Sequence, residues 1–296
     1  MLSEISATNG KPYPIRLILK VGGLSSAAWY DIRRRKSSDE KLRRGQKPQV
    51  NDIELLREIK VELEHPIFHG EGYIKIRKRL NKRGIRVGKT RLYRIMSQND
   101  LLCNKRSTPG GGRLHDGKII TDQPNRMWAS DGKEFHTQKD GKCWFIGIID
   151  HFNDEIISFF VTKTFDRFAA IEPLRMAVKK IYGSVEQNTC DEMHIALRCD
   201  HGSQFDSKDY QNELKFFGIE HSPAFVRSPQ CNGIIERFHR TLNEQIFKID
   251  TFDNIEEANN QISMFVEKYN KNWILHRLKL KSPVEYRMEY YNQAKP

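Results

Sequence analysis

Three strand-like segments follow one another in the middle of the chain, with no helix between them. They are rich in Trp, Ile, Phe and Val, and they comprise residues 126–137, 143–151 and 155–164. Asp140-Gly141 and Asn153-Asp154 supply the short connections that such strands need. Strands joined by tight turns pair antiparallel, so these residues predict a three-stranded antiparallel sheet.

The segments after residue 165 alternate between helices and strands. They are a helix over 166–182, a strand over 193–199, a helix over 208–217, a strand over 219–225, and helices over 232–249 and 256–273. Strands connected through a helix lie parallel. Three antiparallel strands followed by this alternation is the element order of the ribonuclease-H-like fold. We therefore expect an α/β core with a mixed sheet, preceded by small all-α units.

The chain before the strands shows helical periodicity. In residues 1–45, an apolar helical face ends at a Gly-Gly pair, and Ser25 or Ser26 can then cap a second helix that runs to about Arg35. Two helices around a tight turn predict a helix-turn-helix-like N-terminal segment.

Residues 50–104 contain three more stretches with apolar residues at helical spacing, over 52–64, 72–83 and 88–99. The predicted inward stripe of the first stretch is Ile53, Leu56, Ile59 and Leu63. The third stretch carries Lys89, Arg91 and Arg94 opposite its apolar residues, where we expect them to contact DNA. These residues predict a helix-turn-helix DNA-binding domain over 50–104, a basic Gly/Pro linker over 105–122 and a catalytic core over 123–296.

The positive charge of the chain is confined to its first part. The formal net charge is +12. Residues 1–125 contain 27 Lys and Arg against 13 Asp and Glu, whereas residues 126–296 contain 23 against 25. Basic charge concentrated in one region is typical of phosphate binding, which favours a nucleic-acid partner.

Three carboxylates fall at informative positions of the predicted core. Asp131 lies on its first strand, Asp200 just past the end of its fourth strand, and Glu236 in the first turns of a helix. Functional groups of an open α/β sheet collect at strand ends. Hard oxygen ligands suit Mg²⁺ or Mn²⁺. Two such ions about 3.5–4 Å apart can promote phosphodiester displacement, so we expect a two-metal site.

The sequences around these acids resemble a known family. The matching pieces are Pro124-Asn125-x-x-Trp128-x-x-Asp131, Ile149-Asp150-His151-Phe152, Asp200-His201-Gly202-Ser203-Gln204-Phe205, Ser228-Pro229-x-x-Asn232-Gly233-x-x-Glu236-Arg237-Phe238, Tyr269-Asn270 and Ser282-Pro283-x-Glu285. Residues 123–290 thereby resemble the integrase-core transposases of bacterial insertion sequences, in particular their second-frame (OrfB) product. They are similar, more distantly, to retroviral integrases.

This resemblance implies a DNA transposase with the catalytic triad Asp131, Asp200 and Glu236. Such an enzyme cuts at transposon ends and joins the 3′-ends to target DNA. It implies a homo-oligomer on DNA and, in some members, a first-frame partner or fusion. The protein would then be cytoplasmic and associated with the nucleoid, in agreement with five scattered cysteines that form no CxxC pair.

Residues beside the triad are candidates for DNA contact. Ser203 and Gln204 follow Asp200 in a loop, and Arg237 and Arg240 follow Glu236 on its helix. The family usually carries Lys or Arg seven positions after the Glu, where this chain has Asn243. Arg240 or Arg237 would have to take over that role.

Several alternatives remain open at the level of sequence. Asp150 either stabilises a turn or helps to bind the metals, whereas Asn232 is most simply the N-cap of the Glu236 helix. His201 and His239 can approach the acids, although a carboxylate site does not need them. Trp128, Trp144 and Phe145 are expected in the core. A DNA-binding regulator with an inactive core is the alternative function, and a nuclease that cuts without joining is a third.

Overall fold

The structure is a computed structural model of the 296-residue chain. It describes residues 10–36, 48–64, 66–103, 121–200, 202–222 and 232–294. Most of the predicted linker over 105–122 lies outside the described residues, as do His201 and the end of the predicted strand over 219–225. The chain divides into two compact units, residues 1–49 and residues 50–296.

The first unit contains two short helices, α1 (Ile15–Val21) and α2 (Ser26–Lys36). Gly22 ends α1, and Gly23 has a φ of 66°, a left-handed conformation that favours glycine. The Ser25 hydroxyl accepts a hydrogen bond from the Ala28 N–H at 3.1 Å and so caps α2. The predicted helix, turn and capped helix are confirmed.

Three helices open the second unit. They are α3 (Asp52–Glu64), α4 (Tyr73–Lys82) and α5 (Lys89–Gln98). Their shared core consists mainly of Leu55, Ile59, Ile76, Leu80, Leu92, Ile95 and Met96. The predicted stripe of α3 was wrong at one end, because Ile53 is 83% exposed while Leu55 is fully buried. Ile53 lies in the first turn of α3, and the helix faces its neighbours through Leu55 and Ile59.

A five-stranded mixed sheet forms the centre of the second unit. The strands are β1 (Met127–Thr137), β2 (Gly141–Asp150), β3 (Ile156–Thr162), β4 (Ala196–Arg198) and β5 (Glu220–His221). Their order across the sheet is β3-β2-β1-β4-β5. β1, β2 and β3 pair antiparallel, whereas β4 runs parallel to β1 and β5 parallel to β4. This is the predicted ribonuclease-H-like arrangement.

Helices cover both faces of this sheet. On one face, α6 (Arg167–Tyr182) and α7 (Lys208–Phe217) pack on residues such as Trp128, Ile148 and Leu197. β4 is shorter than predicted, because residues 191–193 form a 3₁₀ turn and His194 has a left-handed φ of 48°. Such a turn cannot continue into the extended ladder of β4.

The other face is covered by α8 (Gly233–Leu242) and α9 (Ile255–Asn272), followed by α10 (Pro283–Gln293). The prediction of one helix over 232–249 was partly wrong, since a π-helical turn over Asn243–Phe247 follows α8. α10 was not predicted as a helix. The Asn270 amide accepts from the Ile156 N–H and donates to the Ile156 carbonyl, each at 2.9 Å, which ties α9 to β3.

The three helices α3 to α5 are docked on this core. Phe68, in the segment between α3 and α4, is 2% exposed and packs among residues of α8 and α9. The Gln245 side chain accepts from the His69 N–H and donates to the His69 carbonyl, each at 2.9 Å. Residues 50–103 therefore contact the α/β core through buried groups. No helix in the described part of the chain is long and apolar enough to cross a membrane.

Candidate active site

The strand register relates two of the predicted acids to neighbouring central strands. In the parallel pairing of β1 with β4, Ala129 lies opposite Arg198. Asp131 follows Ala129 by two residues within β1, and Asp200 follows Arg198 by two residues, just past the end of β4. Side chains two residues apart along a strand point to the same face, so Asp131 shares the face of Ala129. That face is the one covered by α8, which carries Glu236.

The Cys199 thiol, directly before Asp200, is fully buried. Burial raises the pKa of this thiol to about 12, and the carboxylates of Asp200, Asp206 and Asp131 add to the increase.

Glu236 lies beside Asp131 because α8 begins next to β1. The side-chain amide of Asn232, directly before α8, approaches the Ser130 carbonyl at 3.5 Å. The predicted role of Asn232 was therefore partly wrong: it occupies the N-cap position but makes no capping bond with its side chain. Burial raises the pKa of Glu236, and the negative charge of Asp131 raises it further, whereas His239 and Arg240 lower it.

The acids of this site are engaged with local donors. The Asp131 carboxylate accepts from the Gly132 N–H at 2.8 Å, and the Asp200 carboxylate accepts from the Gly202 N–H at 3.0 Å. In the described part of the chain, no three His, Cys, Asp or Glu side chains form a group that could hold a metal ion. The donor chemistry nevertheless fits a hard divalent cation, because Asp131 and Glu236 place two repelling carboxylates side by side.

His239 also reaches the site. It is 7% exposed, and its Nδ1 lies 3.5 Å from Oδ2 of Asp131. In the sequence, His239 follows Glu236 by three residues on one predicted helix. Residues at this spacing share a helical face, which indicates that His239 lies on the side of Glu236.

Asp150 is a structural residue at the end of β2. Its carboxylate accepts from the Asn125 N–H at 2.9 Å and from the Phe152 N–H at 2.8 Å, and the residue is 2% exposed. Of the two alternatives, turn stabilisation is the one that this geometry supports.

The buried carboxyl of Asp150 predicts a loss of stability with rising pH. Burial raises the pKa of Asp150 to about 7, above its value of about 3.9 in an unfolded chain. Between these pH values the folded state holds a proton that the unfolded state has lost. The contribution of Asp150 is therefore fully present below pH 4 and is lost as the pH rises towards 7.

This expectation is checked by the carboxyl carbon resonance of Asp150, which should titrate near pH 7. A titration midpoint below pH 4 for this carbon would contradict the expectation. Urea unfolding between pH 5 and 8 then shows whether the free energy of unfolding changes in the same window.

The predicted DNA-contacting residues have different surroundings. Lys89, Ser203, Arg237 and Arg240 are exposed, and Gln204 is half-buried. The sequence suggested that the side chains of Arg91 and Arg94 are free. In the structure both bond the carboxylate of Asp52 at the start of α3, with contacts of 2.6–2.8 Å. Asn243 is half-buried in the π-helical turn.

Trp128 and Phe145 are fully buried, as predicted. Trp144 is only half-buried, and its ring packs against Phe165 and below the Lys142 ammonium. The expectation that Trp144 is a core residue was therefore wrong. The Trp144 ring packs beside Phe165, just before α6 begins, and is partly open to solvent there.

Two family models, both described as the integrase core domain, match residues 121–229 and 217–277. This part of the chain belongs to the integrase core family. Among curated proteins, the chain is similar to the transposase InsK of insertion sequence element IS150 from Escherichia coli (strain K12), with 30% identity over 57% of this chain and 56% of that protein.

It is also similar to the Escherichia coli transposase InsD of insertion element IS2, with 29% identity over 66% of this chain and 64% of that protein. The matched region thus spans somewhat over half the length of these relatives. Among solved structures, the chain is similar to one from the simian T-cell lymphotropic virus intasome in complex with PP2A regulatory subunit B56 gamma. The alignment covers 78% of this chain and 74% of that chain. The identity is 16% and the TM-score is 0.48.

Proposed function

We propose that this protein is a DNA transposase, which cuts at the ends of an insertion sequence and joins the 3′-ends to target DNA. The observation that carries this proposal is the parallel register of β1 and β4, whose pair Ala129 and Arg198 precedes Asp131 and Asp200 by two residues each, on the face that the Glu236 helix covers at Ala129. Membership of the integrase core family and similarity to insertion-sequence transposases support the same activity.

Asp131, Asp200 and Glu236 would hold divalent cations, Mg²⁺ or Mn²⁺, and two ions suit a phosphodiester displacement. Bound there, the ions would supply Lewis-acid stabilisation of the attacking and leaving oxygens. Binding would relieve the repulsion that raises the pKa of Glu236. A carboxylate has about four lone-pair positions, so Asp131 and Asp200 can keep their bonds to backbone N–H groups while they bind an ion.

In the first reaction, water attacks the phosphodiester at the transposon end and a 3′-hydroxyl leaves. In the second, that 3′-hydroxyl attacks a target phosphodiester and displaces the target 3′-oxygen. Each step forms one P–O bond and breaks one, so no covalent bond to the protein is needed. Arg240 lies one helical turn from Glu236 with an exposed guanidinium, which suits a contact to the DNA phosphate next to the reacting one.

The helices of residues 50–104 would form the DNA-binding domain. Lys89 is exposed there, and Arg91 and Arg94 form ion pairs with Asp52. The Arg94 side chain is 51% exposed beside its ion pair, so its other nitrogens remain accessible to a phosphate. Joining two transposon ends requires more than one active site, so we expect a homo-oligomer on DNA, with or without a first-frame partner.

Strand transfer by the full chain tests this proposal. The protein is incubated with labelled terminal-repeat DNA from the sequence flanking its gene, in Mg²⁺ or Mn²⁺, beside Asp200→Asn. We expect joined products from the wild type and none from Asp200→Asn, with equal DNA binding by fluorescence anisotropy. Glu220→Gln, which removes an exposed carboxylate from β5, is the matched control and should join DNA normally.

The same assay separates the other functions. Cleaved but unjoined DNA would indicate a nuclease, and intact DNA that is bound equally by all three proteins would indicate a DNA-binding regulator. Addition of a first-frame product to the wild type then tells a missing partner from an inactive core.

A further inference from the structure

One imidazole contacts an acid of the site from within the covering helix. His239 lies on α8, three residues after Glu236, and its Nδ1 is 3.5 Å from Oδ2 of Asp131. This separation is longer than a hydrogen bond of about 2.7–3.2 Å. The Asp131 carboxylate accepts from the Gly132 N–H through Oδ1, while its other oxygen, Oδ2, lies on the side of His239.

The rings around His239 fix its orientation. Phe145 of β2 meets it edge to face, with ring centres 5.9 Å apart and planes at 90°. Phe238 lies 6.3 Å from His239 and 5.8 Å from Phe145, so the three rings form one cluster. A buried ring packed in this way cannot turn freely, so Nδ1 stays towards Asp131.

The opposite edge of the ring identifies its hydrogen-bonding form. Nε2 of His239 is buried and has no hydrogen-bond partner among the described residues. A hydrogen on Nδ1 leaves a lone pair on Nε2, whereas a hydrogen on Nε2 would be a buried donor without a partner. The arrangement therefore favours a ring that carries its hydrogen on Nδ1, towards Asp131.

We infer that His239 is a positioning residue, which holds the Asp131 carboxylate in the orientation that receives the metal ion. This inference rests on the proposed function. An N–H donor from an imidazole can orient a carboxylate oxygen, whereas the fixed charge of Lys or Arg at this place would compete with the cation. Partners of metal-binding carboxylates commonly act in this way.

Packing alone is the competing explanation, and substitutions separate the two. His239→Phe keeps an aromatic ring beside Phe145 and Phe238 but removes the donor. His239→Asn carries an amide nitrogen as far from the backbone as Nδ1, and His239→Gln carries it as far as Nε2. Asn and Gln disturb the aromatic packing similarly, so a difference between them reports the position of the donor.

The measurement is the rise of the melting temperature of the full chain with Mn²⁺ concentration, which needs neither DNA nor turnover. We expect the Mn²⁺ concentration at half-effect to rise about 10- to 100-fold in His239→Phe and His239→Gln. His239→Asn should remain near the wild type. The maximal rate of strand transfer with a pre-cut end should follow the same order, with an unchanged KM for DNA.

Equal Mn²⁺ responses in all four proteins would overturn the inference, and so would an equal loss in all three variants, which indicates packing. Failure of the proposed function has a different signature, since the wild type itself would then show neither a Mn²⁺ response nor joined DNA. A wild type that responds and joins DNA, beside a His239→Phe variant that does the same, would overturn the role of His239 alone.

Discussion

Replacement of Glu236 by Gln is expected to reduce strand transfer by about three orders of magnitude without destabilising the fold. Gln keeps the length and polarity of the side chain but cannot supply an anionic oxygen to a cation. Since α8 begins beside β1 through the contact of Asn232 with Ser130, the helix itself should be unaffected.

The thermal stability of Glu236→Gln shows whether the Glu236 carboxylate serves the site or supports the fold. Burial and the charge of Asp131 raise the pKa of Glu236, so the ionised form is disfavoured in the folded state. This cost is present once the pH exceeds the ordinary pKa of Glu, and Gln removes it. At pH 7.5 the melting temperature of Glu236→Gln should therefore equal or exceed that of the wild type.

The two measurements are the joining assay and thermal unfolding in the absence of metal. Glu220→Gln serves as the control in both, because it removes an exposed carboxylate that lies outside the site. Full joining activity in Glu236→Gln would contradict the assigned role. A lower melting temperature would show that the carboxylate supports the fold.

Much of the core could be predicted because its elements have local signals. The apolar runs of β1 to β3 and the turns between them specify an antiparallel sheet, and Asp166 and Ser207 mark the starts of α6 and α7 as N-caps. The sequence of α10 contains an equally local signal for the start of a helix. Ser282 and Glu285 form a capping box, with Pro283 in the first turn.

The parts that could not be predicted depend on contacts between distant residues. Nothing near Arg91 or Arg94 indicates that Asp52, about forty positions earlier, pairs with both. The approach of His239 to Asp131 likewise requires knowledge that α8 crosses β1. The triad residues were found through their motifs, and the register that aligns two of them is set by the pairing of β1 with β4.

Replacement of Phe68 by Ala is expected to lower the free energy of unfolding by about 3–5 kcal/mol. Although Phe68 belongs to the segment between α3 and α4, its ring packs edge-on against Phe265 and Trp273 of the α/β core. Removal of the ring leaves a cavity between two groups of helices that are otherwise joined mainly by polar contacts. For a unit of this size, the melting temperature should fall by about 10 °C.

The shape of the thermal unfolding transition of Phe68→Ala is as informative as its melting temperature. If Phe68 couples residues 50–103 to the core, calorimetry should show one transition for this unit in the wild type and a broader or divided one in Phe68→Ala. Ile53→Ala, which truncates a side chain that is 83% exposed, should change the melting temperature little.

An unchanged single transition in Phe68→Ala would mean that the remaining contacts suffice to couple residues 50–103 to the core. Those include the paired bonds of Gln245 to His69, directly after the helix of Glu236. The helices expected to bind DNA would then be held at a fixed distance from the site by these polar contacts and by Ile67, which also packs against the core.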